Sequence, residues 1–201
     1  MKKLVLAVLA LAMMVSAIAA MADSEKSFSI TPRIAANIAV DKDTKDWVGN
    51  QFGVLADIDI ASWPVGIETG YLAGQKSNEI WSADKLANWD TKTNTWTIPL
   101  MATYTYPFSD QFYAKAALGV NFIHTKFKEE LVMGGAELGD VDNSKTRTNL
   151  GFKLGLGWNF LPNWSAEVMY ANSGKVKFED YFGDELEYKT SFVQVNVGYT
   201  F

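Results

Sequence analysis

The sequence predicts an all-β fold, an eight-stranded antiparallel up-and-down barrel that spans a lipid bilayer. Three observations carry that prediction. Apolar residues alternate with polar or small ones through eight segments of about 9–13 residues, the period of a strand with two different environments. The links between these segments alternate between short and long. The apolar face carries almost no charge through the middle of any segment, whereas the opposite face carries acids and bases.

The chain begins with a leader that is not part of this fold. Met1-Lys2-Lys3 forms a positive end, Leu4 to Ala20 is apolar, and Ala17-Ile18-Ala19 and Ala20-Met21-Ala22 are small-residue cleavage patterns. These features predict a secretory signal peptide over residues 1–22, cleaved after Ala22, ahead of a single barrel domain at 23–201. Loss of Lys2 and Lys3 leaves 16 basic residues against 23 acidic ones, a net charge of −7. That balance argues against nucleic acid as a partner. There is no cysteine, so disulfides and thiolate metal sites are excluded. No apolar run of ~18 residues follows the leader, so a helical membrane span is not predicted there.

The strands follow in order. The first sets Phe28, Ile30, Ile34, Ala36, Ile38 and Val40 against Ser29, Thr31, Arg33 and Asn37. In the second, Phe52, Val54, Ala56, Ile58 and Ile60 oppose Gly53, Leu55, Asp57 and Asp59. The third sets Val65, Ile67, Thr69 and Tyr71 against Gly66, Glu68, Gly70 and Leu72. Trp96, Ile98, Leu100, Ala102, Tyr104 and Tyr106 share one face of the fourth. The fifth runs from Phe112 to about Phe122, with Lys115 on its polar face. The sixth sets Leu150, Phe152, Leu154, Leu156 and Trp158 against Asn149, Gly151, Lys153, Gly155 and Gly157. The seventh opposes Trp164, Ala166, Val168 and Tyr170 to Ser165, Glu167 and Met169. Ser191 to Phe201 closes the set, with Val193, Val195, Val197, Tyr199 and Phe201 on one face. No segment between the strands has a helical period.

Ala61 to Pro64, Pro107 to Gln111 and Leu161 to Asn163 are short links. Asp41 to Asn50, Gln75 to Asn94, Ile123 to Thr148 and Asn172 to Thr190 are long and polar. Short turns at one end and long loops at the other are what a transmembrane barrel shows, with turns periplasmic and loops outside the cell. An apolar exterior is tolerable only in lipid, and closure satisfies every backbone donor and acceptor there. Aromatics mark both boundaries of the apolar band. Trp63, Tyr106, Trp158, Trp164 and Tyr199 lie towards the short turns, and Tyr71, Trp96 and Tyr170 towards the long loops.

The ending Val197, Tyr199 and Phe201 resembles the C-terminal assembly signal of outer-membrane barrels. Ile30-Thr31-Pro32-Arg33, Ile98-Pro99-Leu100 and Tyr113-Ala114-Lys115-Ala116 likewise resemble the OmpA/OmpX and opacity-protein type of small barrels. That resemblance implies outer-membrane localisation in a Gram-negative bacterium. It also implies contact with outer-membrane lipid and lipopolysaccharide, and handling by the barrel-assembly machinery.

Eight strands enclose a lumen only just wide enough for side chains. Arg33, Asp57, Asp59, Glu68, Lys115, Lys153 and Glu167 therefore have to pair inside it, as a structural plug or as a permeation path. Hairpin geometry places Asp57 opposite Glu68, and the first long link places Arg33 opposite Asp59. His124, the only histidine, reads as an interfacial residue on the outer face, because no serine stands near it in a His-x-Ser arrangement. The acid-rich stretches at 41–46 and 140–144 lack the glycine and distal glutamate of an EF-hand and read as solvated loops. No cofactor and no metal site is expected. The function readings are a structural or surface-interaction barrel, whose loops meet host or envelope proteins, then a narrow channel. A lipid-modifying enzyme comes last, and no enzymatic activity is expected.

Overall fold

A computed structural model describes residues 28–60, 64–81, 87–133, 136–179 and 185–201. The segment expected to be a cleaved signal peptide, residues 1–22, and Trp63 lie outside these residues. Eight strands form one closed antiparallel barrel in sequence order. They are β1 (Phe28–Ala39), β2 (Gln51–Ile60), β3 (Val65–Trp81), β4 (Ala87–Pro107), β5 (Phe112–Met133), β6 (Ala136–Leu161), β7 (Trp164–Glu179) and β8 (Glu185–Tyr199). The barrel shuts where β1 pairs with β8, from Arg33 opposite Gly198 to Ala39 opposite Phe192.

Alternation divides the two faces as the sequence requires. Ile34 and Leu150 are 77% exposed on the outside. Their neighbours in the chain Arg33 and Gly151 are buried within. The outer surface is a band of Ile, Leu, Val and Phe, which only lipid can cover without penalty.

Strand length departs from the sequence reading. β3 to β7 run far into the segments at 75–94, 123–148 and 172–190, which the sequence assigns to loops. β6 alone has 26 residues, whereas about 9–11 residues cross a bilayer. Beyond the membrane the outer face of a hairpin is wet and turns polar, so the apolar alternation that signals a strand disappears while the backbone ladder continues. The barrel wall is therefore uneven. β1 and β2 stop near the bilayer, with 12 and 10 residues, and β3 to β6 rise beside them as tall hairpins.

The link between β1 and β2 also differs from expectation, for it holds a single π-helical turn, Thr44–Val48. Its exit needs Gly49, at φ 74°, a backbone region that glycine enters without penalty. The links between β4 and β5 and between β6 and β7 are short, as read. Pro162 and Asn163 alone separate Leu161 from its partner Trp164, and Asn163 takes φ 65°, which asparagine tolerates better than most residues. Pro99 sits inside β4, and the β3–β4 ladder skips from Thr69–Leu100 to Leu72–Thr97 around it, because proline has no N–H to donate.

Candidate functional site

Six ionic side chains from six strands meet in the lumen, all at most 6% exposed. Arg33 on β1 reaches Asp57 on β2 at 2.5 Å and Glu167 on β7 at 2.9 Å. Lys115 on β5 lies 2.7 Å from Asp57 and 3.2 Å from Glu167. It also stands 3.8 Å from Glu68. Lys153 on β6 contacts Glu68 on β3 at 2.5 Å. Three bases and three acids thus form one neutral cluster, the condition under which buried ions are tolerable.

Neutral groups complete the layer. Tyr113 donates to Glu167 at 2.9 Å, and Arg33 donates to Ser165 and Asn196. Lys153 donates to Gln194, which donates to Asn37 at 2.9 Å. The layer therefore bridges from wall to wall. Gly157 makes room for it, since any Cβ there would overlap the Tyr113 ring.

Asp57 and Glu68 are direct cross-strand partners, as hairpin geometry predicts. The pairing of Arg33 with Asp59 is overturned, because Arg33 stands opposite Leu55 and Asp59 opposite Ser29. The link carrying the π-turn shifts the register by four residues, an even number that keeps every face but changes the neighbours. Asp59 makes no ion pair among the described residues. It lies over Gly66 in a vestibule of about 370 Å³ at the short-turn end, beside Thr31, Tyr113 and Asp110.

A second layer closes the other end. Ile123, Phe127, Ala171, Val176 and Phe192 point inward and pack with Ala39 and Val48. Trp47, from the π-turn, stacks on Tyr188 with ring centroids 5.1 Å apart and tilts against Phe127. The link is pinned by Asp41, whose carboxylate accepts from the Thr44 hydroxyl at 2.6 Å, the Thr44 N–H at 2.8 Å and the Ser191 N–H at 3.0 Å. Partial burial pushes this carboxyl up, but the Thr44 and Ser191 hydrogen bonds outweigh it and hold it below the usual carboxylate range. The acid-rich stretch at 41–46 is thus a folded stopper rather than a solvated loop. The sequence reading missed Phe127 and Val176 because they lie within its polar loops. The one signal for Phe127 was the inward parity of Asn121, Ile123 and Thr125 running on through it.

The aromatics fall at two levels. Towards the short turns the rings make a chain on the outer surface, Phe112–Trp158–Phe160–Trp164–Tyr199–Phe201, with successive centroids 4.9–6.5 Å apart. Tyr106 is exposed at the same end. Towards the long links Tyr71 stacks on Trp96 and Trp96 on His124, while Phe152 meets Tyr170. His124 is half-buried on the outer face, and its hydrogen bond is to the Thr146 hydroxyl at 2.9 Å. Phe201 is exposed beside Tyr199, and its N–H donates to the Ile30 carbonyl at 3.0 Å.

A closed eight-stranded barrel with an apolar outer band and an ionic interior defines the class of transmembrane β-barrels. The family described as outer membrane protein beta-barrel domain matches residues 7–201, and the chain belongs to it. No curated protein sequence matches. Among solved structures the chain resembles Ail, the attachment invasion locus protein of Yersinia pestis. The identity is 18%, with 88% of this chain and 100% of that one covered and a TM-score of 0.49. It also resembles Neisserial surface protein A, at 14% identity, with 88% and 98% covered and a TM-score of 0.45. A major outer membrane protein from Thermus thermophilus is 13% identical, with 87% and 100% covered and a TM-score of 0.49.

Proposed function

We propose that this outer-membrane barrel is a non-conducting anchor that presents tall hairpins at the cell surface for contact with host or envelope proteins. The observation that carries this reading is the double closure of the lumen. A wall-to-wall ionic layer lies under an apolar layer on which Trp47 and Val48 pack, and in this reading the two together block passage of ions. The long hairpins of β3–β4, β5–β6 and β7–β8 are the surface available for recognition. Residues 1–22 act as a cleaved export signal in this reading, and Val197, Tyr199 and Phe201 as the signal read by the barrel-assembly machinery. The surrounding partner is outer-membrane lipid with lipopolysaccharide.

Conductance in a planar bilayer tests the anchor reading against a narrow channel. The refolded protein should be silent under applied voltage. Steady single-channel openings of the wild type would overturn the anchor and make the lumen a permeation path.

A further inference from the structure

The ionic layer balances its own charge, but the vestibule at the short-turn end does not. Asp59 on β2 and Asp110 in the turn between β4 and β5 line this space of about 370 Å³, together with Asp57, Glu167, Arg33 and Lys115. The last four belong to the neutral cluster and engage one another there. Asp59 and Asp110 therefore remain as two negative charges with no ion pair among the described residues.

Two buried side chains offer further oxygens beside Asp59. Asp57 is 1% exposed; its Oδ2 accepts from Arg33 and Lys115, while its Oδ1 has no hydrogen-bond partner among the described residues. Thr103 is 2% exposed, and its hydroxyl is likewise without a partner there. Asp59, Gly66 and Thr103 stand in one row across β2, β3 and β4. Because Gly66 has no side chain, Asp59 Oδ1 and Thr103 Oγ1 both approach the space above it, 2.5 Å and 3.0 Å from where a Cβ would stand. Asp57 faces the same way two residues along the strand, about 6.6 Å from Asp59. A buried acceptor left without a donor is costly, and an ammonium group brings three donors.

The spacing of the two spare acids selects the kind of cation. Among the described residues no three His, Asp or Glu side chains are placed to hold a metal ion. One spare carboxylate lies on a strand and the other in a turn. Pro107 and Tyr113, paired across β4 and β5, add apolar surface to the same lining. We propose that the vestibule binds a short aliphatic diamine. One ammonium sits on Asp59, Asp57 Oδ1 and the Thr103 hydroxyl, the other on Asp110, and the methylenes lie along Pro107 and Tyr113. The balanced ionic layer has no acid to spare, so the ligand stops beneath it. The site lies at the opposite end from the recognition hairpins and does not rest on their role.

The test titrates putrescine calorimetrically into the protein refolded in detergent micelles at low ionic strength. Wild type should bind one equivalent saturably. Asp59→Asn should weaken binding about tenfold, the weight of one charge-assisted hydrogen bond. Asp110→Asn, in the exposed turn, should weaken it about threefold, since an exposed ion pair is worth less. Butylamine, which lacks the second ammonium, should bind wild type about as weakly as putrescine binds Asp110→Asn. Combining butylamine with Asp110→Asn should cost no more than either alone, because both remove the same contact. Asp90→Asn, in the long hairpin at the other end, should change nothing. No saturable binding by the wild type, or full binding by Asp59→Asn, would overturn the site. Equal affinity of the wild type for butylamine and putrescine would overturn the two-point contact, and displacement of putrescine by equimolar Mg²⁺ would replace the diamine with a metal ion. Heat-modifiable mobility on a gel checks that each variant is folded. Should Asp59→Asn not fold, Thr103→Val and Asp110→Asn carry the test, and full binding by both would overturn the site.

Discussion

Glu68 shows how little slack the lumen has at the scale of one residue. It is 0% exposed and is the carboxylate that Lys153 contacts. Glu68→Gln leaves Lys153 buried without an acid, a loss that typically costs about 3–5 kcal/mol. The urea midpoint of the protein refolded in lipid should fall accordingly. Changing Lys153→Met as well restores charge balance and should recover part of the loss. An unchanged midpoint for the single variant would refute the ionic layer as a structural element. Asp41 works differently, through pH. Its carboxyl is held below its ordinary value, so its contribution is present above the unfolded value of ~3.9 and is lost as pH falls through the folded one. Fluorine-labelled Trp47 should therefore change its resonance on acidification below about pH 4. Asp41→Asn should show the acid-like signal at neutral pH. A variant whose Trp47 signal matches wild type would rule out Asp41 as the latch.

At the scale of elements the question is where each strand leaves the lipid. Val195 on β8 faces outward within the apolar band, and Ser77 on β3 faces outward four residues before that long strand ends. An arginine on the lipid face near mid-membrane costs ~2–4 kcal/mol and close to nothing near the interface. Val195→Arg should block refolding into vesicles, while Ser77→Arg should fold like wild type. Equal damage from the two would mean that β3 is still in lipid at Ser77. Asn196, one residue along from Val195, offers no relief inside, for it is 1% exposed and bonded to both Arg33 and Glu167.

For the whole molecule the uneven ends set the topology. All the short turns lie at one end and all the long hairpins at the other, and the class rule places the long ones outside the cell. Cysteines placed at the exposed positions Lys128 and Lys175 should react with an impermeant maleimide on intact cells. A cysteine at Ser109, in the turn between β4 and β5, should not. Labelling at Ser109 alone would invert the barrel and move the proposed recognition hairpins to the periplasm.

The alternation of apolar and polar residues, by itself, determined the strand count, the antiparallel closure and which face meets lipid. Those properties depend only on the period-two pleat and on the need to satisfy backbone groups in a bilayer. It also singled out the ions of the lumen, because a charge on the inner parity of a narrow barrel has nowhere else to go. Their pairing was decided only in three dimensions. Arg33 meets Asp57 on the neighbouring strand and Glu167 on β7, which only barrel closure brings near, and the register shift that separates it from Asp59 is set by a π-turn without periodicity of its own. The tall hairpins and the Trp47 stopper were hidden for the same reason. Above the membrane the outer face of a strand is solvated and polar, so the pattern that announces a strand fades. Only the closed wall reveals that Phe127, Val176 and Phe192 converge beneath one loop.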